Sequence, residues 1–206
     1  MTLLTPEELK SGPELKSILG DRTLVLASSS PRRRQILSDL NLNFEVVIPP
    51  VEEYINSASP QNHVKKWALL KAQSVNSQFK SSIVVGADTI VVLNDKILGK
   101  PKDRKEAEEM LKRLSGNTHT VLTGVAAINT DNSRQAVEFE STQVTFNQLS
   151  QSQIEDYLDK NEYADKAGAY GVQGMEKIFL KKLNGSLDNV IGLPVKTLTK
   201  VLREIT

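Results

Sequence analysis

Residues 82–93 read SIVVGADTIVVL, a run almost wholly apolar and rich in β-branched side chains. A strand of that composition has no face to give to water. It predicts a place in the middle of a sheet covered on both sides, and hence an α/β fold. The surrounding signals agree. TLVLA (23–27) reads as a buried strand, 44–48 as a second one stopped by Pro49-Pro50, and Asn94-Asp95 as the turn of a hairpin with 96–99. Ser59-Pro60 starts a helix carrying Val64, Trp67 and Lys71. Asp103 with Glu106 caps another, which Ser115-Gly116 ends. Strand patterns at 118–129 and 135–147 follow, then a helix capped by Ser150 and Gln153, a glycine-rich loop (168–174), a strand (176–183) and a helix at about 194–205. Before all of these, Thr5-Pro6-Glu7-Glu8 forms a capping box for a short helix ending near Gly20.

With 206 residues, no internal repeat and no long linker, the chain predicts one compact unit. A net charge of +1 gives no bulk attraction to nucleic acid or to an anionic membrane, so any affinity for phosphate must come from locally clustered charge. Cysteine is absent, which excludes disulfides, thiol nucleophiles and cysteine-ligated zinc. The N-terminus lacks the pattern of a signal peptide, and no stretch approaches the ~20 apolar residues of a membrane span. A cytoplasmic protein without membrane partners is the expectation.

Three segments could carry chemistry. In LASSSPRRRQIL (26–37), Ser30 suits an N-cap and Pro31 a first helical turn, yet Arg32, Arg33 and Arg34 then oppose the helix dipole. Two readings are open: a solvated basic face, or an anion site where the hydroxyls of Ser28 and Ser30, free backbone N–H groups and guanidinium forks converge on phosphate. On the second, the cluster destabilises the empty protein, and Arg33→Ala is expected to melt no lower than wild type. Asp88 is the second anomaly. A carboxylate amid apolar residues costs several kcal/mol unless paired or coordinated. It is either an aspartate at a strand bend or a positioned general base linked to a metal. The third segment, GAYGVQG (168–174), leaves the backbone free to approach a ligand, and Gln173 offers donors and an acceptor that match a uracil or thymine edge. A surface loop is the alternative. Glu53, Lys71 and Lys100 are secondary candidates: respectively a loop acid, a snorkelling lysine and a surface lysine when taken alone. His63 and His119 lack a metal-ligand spacing and receive no site role.

Together these segments resemble the Maf family of nucleoside triphosphate pyrophosphatases. The motifs are ASSSPRRR (27–34), VVGADTIVV (84–92), GKPKDRKEAEEMLKRLSGNTHTVLTGVA (99–126), DKAGAYGVQG (165–174) and NVIGLPV (189–195). The resemblance begins near residue 23, which leaves 1–22 as an N-terminal helical extension before a catalytic domain at 23–206. It implies two α/β lobes of mixed sheet and helices around a central cleft, as in inosine-triphosphate pyrophosphatases. It further implies a small-molecule nucleotide substrate, a divalent metal cofactor (Mg²⁺ or Mn²⁺) and a homodimer. By the same resemblance Asp88 is the catalytic proton acceptor and, with Glu53, a metal ligand. Arg32 and Arg33 contact phosphate, Lys71 and Lys100 lie in the cleft, and Arg32, Thr89 and Gln173 set substrate choice. At those three positions the chain is similar to the subgroup acting on dTTP and UTP, rather than to the 7-methylguanosine group with its tryptophan, Asp-Gln and glutamate. Rival expectations are 7-methyl-GTP hydrolysis, and a non-catalytic nucleotide sensor or nucleic-acid-binding module. The low net charge and the lack of interleaved aromatics weigh against nucleic acid.

Overall fold

A computed structural model of the chain describes residues 4–52, 54, 59–161, 163–171 and 176–206, with only the backbone of Glu176 and Lys177. Glu53 and Gln173 lie outside the described residues. One mixed sheet runs through the molecule in the order β2–β1–β3–β5–β6–β7, and β4 also pairs with β3. The apolar run forms β3 (Ser82–Leu93), at the position its composition requires. β1 (Thr23–Ala27), α3 (Pro31–Asp39) and β2 (Phe44–Val47) form a parallel crossover, and α4 (Pro60–Asn76) then returns the chain to β3, parallel to β1. β4 (Lys96–Leu98), β5 (Thr118–Asn129), β6 (Gln135–Phe146) and β7 (Leu180–Asn184) complete the sheet in antiparallel pairs. The β3–β4 turn has positive φ at both Asn94 (50°) and Asp95 (61°), the backbone that a two-residue hairpin requires.

The two faces of the sheet are covered unequally. α5 (Arg104–Leu114), α6 (Gln151–Leu158) and α9 (Val195–Ile205) contribute to the large core on one face, together with Ile83, Val85, Ala87 and Val91 of β3. α4 covers the other face through two smaller clusters, which include Val84 and Ile90. It lies unusually close because two strand residues have no side chain. A Cβ on Gly86 would stand 2.2 Å from the carbonyl oxygen of Ala68, and one on Gly124 would stand 2.3 Å from that of Val64.

Three elements depart from the sequence expectation. The N-terminal helix divides into α1 (Pro6–Leu9) and α2 (Ser11–Leu19). Pro13 has no N–H to give the Leu9 carbonyl four residues earlier, so an unbroken helix cannot cross that point. The expected strand at 176–183 begins instead as a helical turn, α7 (Glu176–Phe179), and only then becomes β7. Phe179 is fully buried against Phe146 and Tyr157, with ring centroids 5.4 and 5.0 Å away, and this packing overrides the local strand preference. A short helix, α8 (Leu187–Ile191), was not expected at all.

Beneath the loop at 165–171, His119 packs edge-on to Phe146 and Tyr170, and its Nε2 lies 2.7 Å from Tyr170 Oη. Burial pushes the imidazole pKa down to about 4 from 6.5. Between those values the unfolded chain binds the extra proton, so this group's contribution is intact above pH 6.5 and lost as pH falls toward 4. Linkage gives a loss of about 2 kcal/mol between pH 7 and pH 5. Urea unfolding at both pH values should show this loss in wild type and its absence in a His119→Phe/Tyr170→Phe double variant, which removes both polar partners. Equal losses in the two proteins would assign the effect to other groups.

Candidate active site

The cleft opens where β1 stops. β1 pairs with β3 as far as Gly86, and β4 joins β3 only at Val91. Among the described residues, Ala87 to Ile90 therefore pair with β5 alone, and one backbone edge of β3 is open at the carboxyl end of a parallel strand, the usual ligand crevice of an α/β sheet. A cavity of about 360 Å³ sits there. An open edge exposes side chains from both faces of the strand, so Asp88 and Thr89, which alternate to opposite faces, both line it. Ser28, Ser30, Arg32, Arg33, Lys71 and Lys100 line it too. Apart from Arg34, the described side chains singled out from the sequence for the anion site, the base and the cleft are thus gathered in one place. Arg34 is exposed and does not line the cavity.

The start of α3 forms one wall. Ser30 caps it through a long contact, 3.5 Å from the Arg33 N–H to Ser30 Oγ. Arg33 is 8% exposed and donates from all three guanidinium nitrogens: Nε to the Gly192 carbonyl (2.8 Å), Nη1 to Ser28 Oγ (3.1 Å) and Nη2 to Thr89 Oγ1 (3.0 Å). Thr89 Oγ1 also meets Thr123 Oγ1 at 3.0 Å, and Thr123 donates to the Asn189 carbonyl at 2.9 Å. Arg33 and Thr89 are therefore tied into the floor of the cleft. The sequence picture of a destabilising cation at a helix start does not describe Arg33, whose charge is spread over three acceptors. Arg32 differs. It is half-buried and pairs across the mouth of the cleft with Asp165 (3.0 Å), which also accepts from Lys166 (2.9 Å). Burial raises the Asp165 pKa, but the hydrogen bond from Lys166 and the charge of Arg32 outweigh it and hold the carboxyl below its ordinary value.

The opposite wall is α4. Asp88 is 3% exposed and sits directly across from Gly124 in the β3–β5 pairing. The helix pressed against Gly86 and Gly124 delivers Lys71, whose Nζ lies 2.8 Å from Asp88 Oδ1 and 3.1 Å from the Ala87 carbonyl. Lys71 is 5% exposed, so it does not snorkel. It is one half of a buried ion pair at the open edge. His63, two helical turns earlier on the same stripe, brings Nε2 to 3.9 Å from Asp88 Oδ2. Sequence reasoning passed over His63, although its spacing from Trp67 and Lys71 (i, i+4, i+8) places all three on one helix face. Asp165, Lys166 and Tyr170 also line the cleft without having been singled out. Asp165 and Tyr170 are indistinguishable in sequence from ordinary loop and core residues.

No group of three or more metal-ligating side chains occurs among the described residues. A divalent ion would therefore have to draw most of its ligands from elsewhere than these side chains. Magnesium-like ions take one or two protein carboxylates and complete their shell with substrate phosphate oxygens and water, and Asp88, engaged by Lys71, is a carboxylate that lines the cavity.

A family model described as "Maf-like protein" matches residues 23–205. The chain is also similar to proteins named dTTP/UTP pyrophosphatase. That of Thermoanaerobacter sp. (strain X514) is 46% identical over 181 residues, covering 87% of this chain and 95% of its own length. That of Clostridioides difficile (strain 630) is 42% identical over 182 residues, covering 88% and 94%. That of Geobacillus sp. (strain WCH70) is 45% identical over 185 residues, covering 89% and 97%.

Proposed function

Because the chain belongs to the Maf-like family, we propose that it hydrolyses nucleoside triphosphates, dTTP and UTP foremost, to the monophosphate and pyrophosphate. The observation that carries this reading is the Lys71–Asp88 pair at an open strand edge, facing a helix start that bears Arg32 and Arg33. A nucleoside triphosphate entering the cleft competes for Lys71. As the ammonium turns to phosphate, Asp88 Oδ1 is released to orient the attacking water at the α-phosphorus and to take its proton. Arg32 leaves Asp165 for the phosphate chain and, with Lys100, balances the charge that builds on the departing pyrophosphate. Ser28 and Arg33 hold the floor against which the phosphates lie. Mg²⁺ or Mn²⁺, held by Asp88 with Glu53, would supply charge neutralisation of the triphosphate when bound.

The base is read, in this proposal, by Gln173 with Thr89 and Arg32. The same reading takes 1–22 as an extension to a catalytic domain at 23–206, and the protein as a cytoplasmic homodimer, which sedimentation of the purified chain tests. Among the described residues no helix is long and apolar enough to cross a membrane. Pyrophosphate release should be screened over dTTP, UTP, GTP and 7-methyl-GTP with Mg²⁺ or Mn²⁺. Purines should fall below the pyrimidines by about tenfold or more in kcat/KM, about 1.4 kcal/mol. Gln173→Glu should depress pyrimidine turnover, because a carboxylate then faces their carbonyls. Preference for the methylated purine, or indifference to Gln173→Glu, overturns the pyrimidine assignment.

A further inference from the structure

We propose that His63 is a positioning residue for Asp88: from α4 it fixes the rotation of the carboxylate and so presents Oδ1 to the cleft. The inference deepens the hydrolytic reading above and rests on it.

The two oxygens of Asp88 are treated differently. Oδ1 accepts from Lys71 at 2.8 Å, whereas Oδ2 is buried and has no hydrogen-bond partner among the described residues. A buried carboxylate oxygen left so carries an uncompensated desolvation penalty, and a donor within reach is the expected remedy. His63 Nε2 stands 3.9 Å away, with both side chains 4% exposed. The imidazole has no competing hydrogen bond at its other nitrogen, since its Nδ1 is also buried without a partner among the described residues. Trp67, with its ring centroid 6.2 Å from that of His63, packs along the same stripe and restricts the imidazole.

Lys71 and His63 therefore approach one carboxylate from one helix, two turns apart, each toward a different oxygen. The terminal torsion of an aspartate is broad, so a single contact leaves the carboxylate plane free to swing and to turn its forward oxygen out of the cleft. When Lys71 turns toward a phosphate, that single contact is lost. A shift of about 1 Å brings Nε2–H into hydrogen-bond range of Oδ2, and the carboxylate then keeps Oδ1 forward. The neutral Nε2–H tautomer suffices, so no change of protonation is needed.

The test compares His63→Leu with His63→Gln, whose side-chain amide can donate at similar reach. Both remove the contact with Trp67, so a packing role would move both alike. His63→Leu should lower kcat on dTTP about tenfold, leaving KM and the Kd of a non-hydrolysable dTTP analogue within twofold, and His63→Gln should recover most of the loss. In an Asp88→Asn background, His63→Leu should have no further effect. An unchanged kcat in His63→Leu, a loss confined to KM, or equal impairment of both variants overturns the proposal. A readout independent of turnover is the ¹⁵N spectrum of the His63 imidazole. It should report the Nε2–H tautomer and shift in Asp88→Asn, and a Nδ1–H tautomer insensitive to Asp88 overturns the proposal. Should wild type release no pyrophosphate, the hydrolytic reading fails while this spectrum still decides the pairing.

Discussion

Asp88→Asn should yield a folded protein that binds nucleotide and turns it over at least about 10²-fold more slowly, the low end for loss of a general base. The substitution is nearly isosteric, and the amide oxygen can still accept from Lys71, so the cleft keeps its shape. It cannot take a proton from water. A second effect follows from burial. Lys71 is 5% exposed and loses the charge of Asp88 beside it, so the empty variant should be less stable than wild type by up to about 3 kcal/mol. Triphosphate should restore much of that loss, because phosphate then pairs with the lysine. Steady-state kinetics with thermal melts, with and without a non-hydrolysable analogue, measures both effects. Retention of most activity would remove Asp88 from the role of base.

Arg33→Ala should lower stability by about 2–4 kcal/mol without any ligand, since truncation removes three hydrogen bonds made by a buried side chain. This reverses the expectation drawn from sequence, where three arginines in a first helical turn looked uniformly unfavourable. Arg32→Ala provides the contrast. Its contact with Asp165 is exposed, and such pairs contribute about 0–1 kcal/mol. Its loss should appear mainly as a higher KM for triphosphate. Denaturant titrations of both variants test the distinction, and an Arg33→Ala midpoint equal to that of wild type would show that the three bonds contribute nothing to the fold.

What could be read without coordinates followed from local chemistry. The bounds of β3 and the capped starts of α3, α4, α5 and α6 depend on residues within a turn or two of each other, and each was legible. The convergence of Ser28, Arg33, Asp88 and Lys100 was not local; it was implied by the family motifs that carry them, whereas Lys71 lies outside those motifs and was placed in the cleft by the family resemblance alone. What escaped was set by distant partners. Phe179 turns a strand-like segment into a helical turn because Phe146 and Tyr157 receive its ring. Arg33 and Arg32 are adjacent and identical, yet one meets Gly192 and the other Asp165, contacts that span 159 and 133 residues of chain. His63 has no motif around it, and its interest arises only once α4 is laid on β3.

The glycines that admit α4 have a consequence of their own. Gly86 and Gly124 bear no side chain that could bind, donate or accept, and neither lines the cavity. Yet two missing methyl groups act as the shim that sets how far the lysine stands from the carboxylate. The tolerance of the active centre is thereby held at positions with no chemistry to lose, and a search confined to reactive side chains would pass over both.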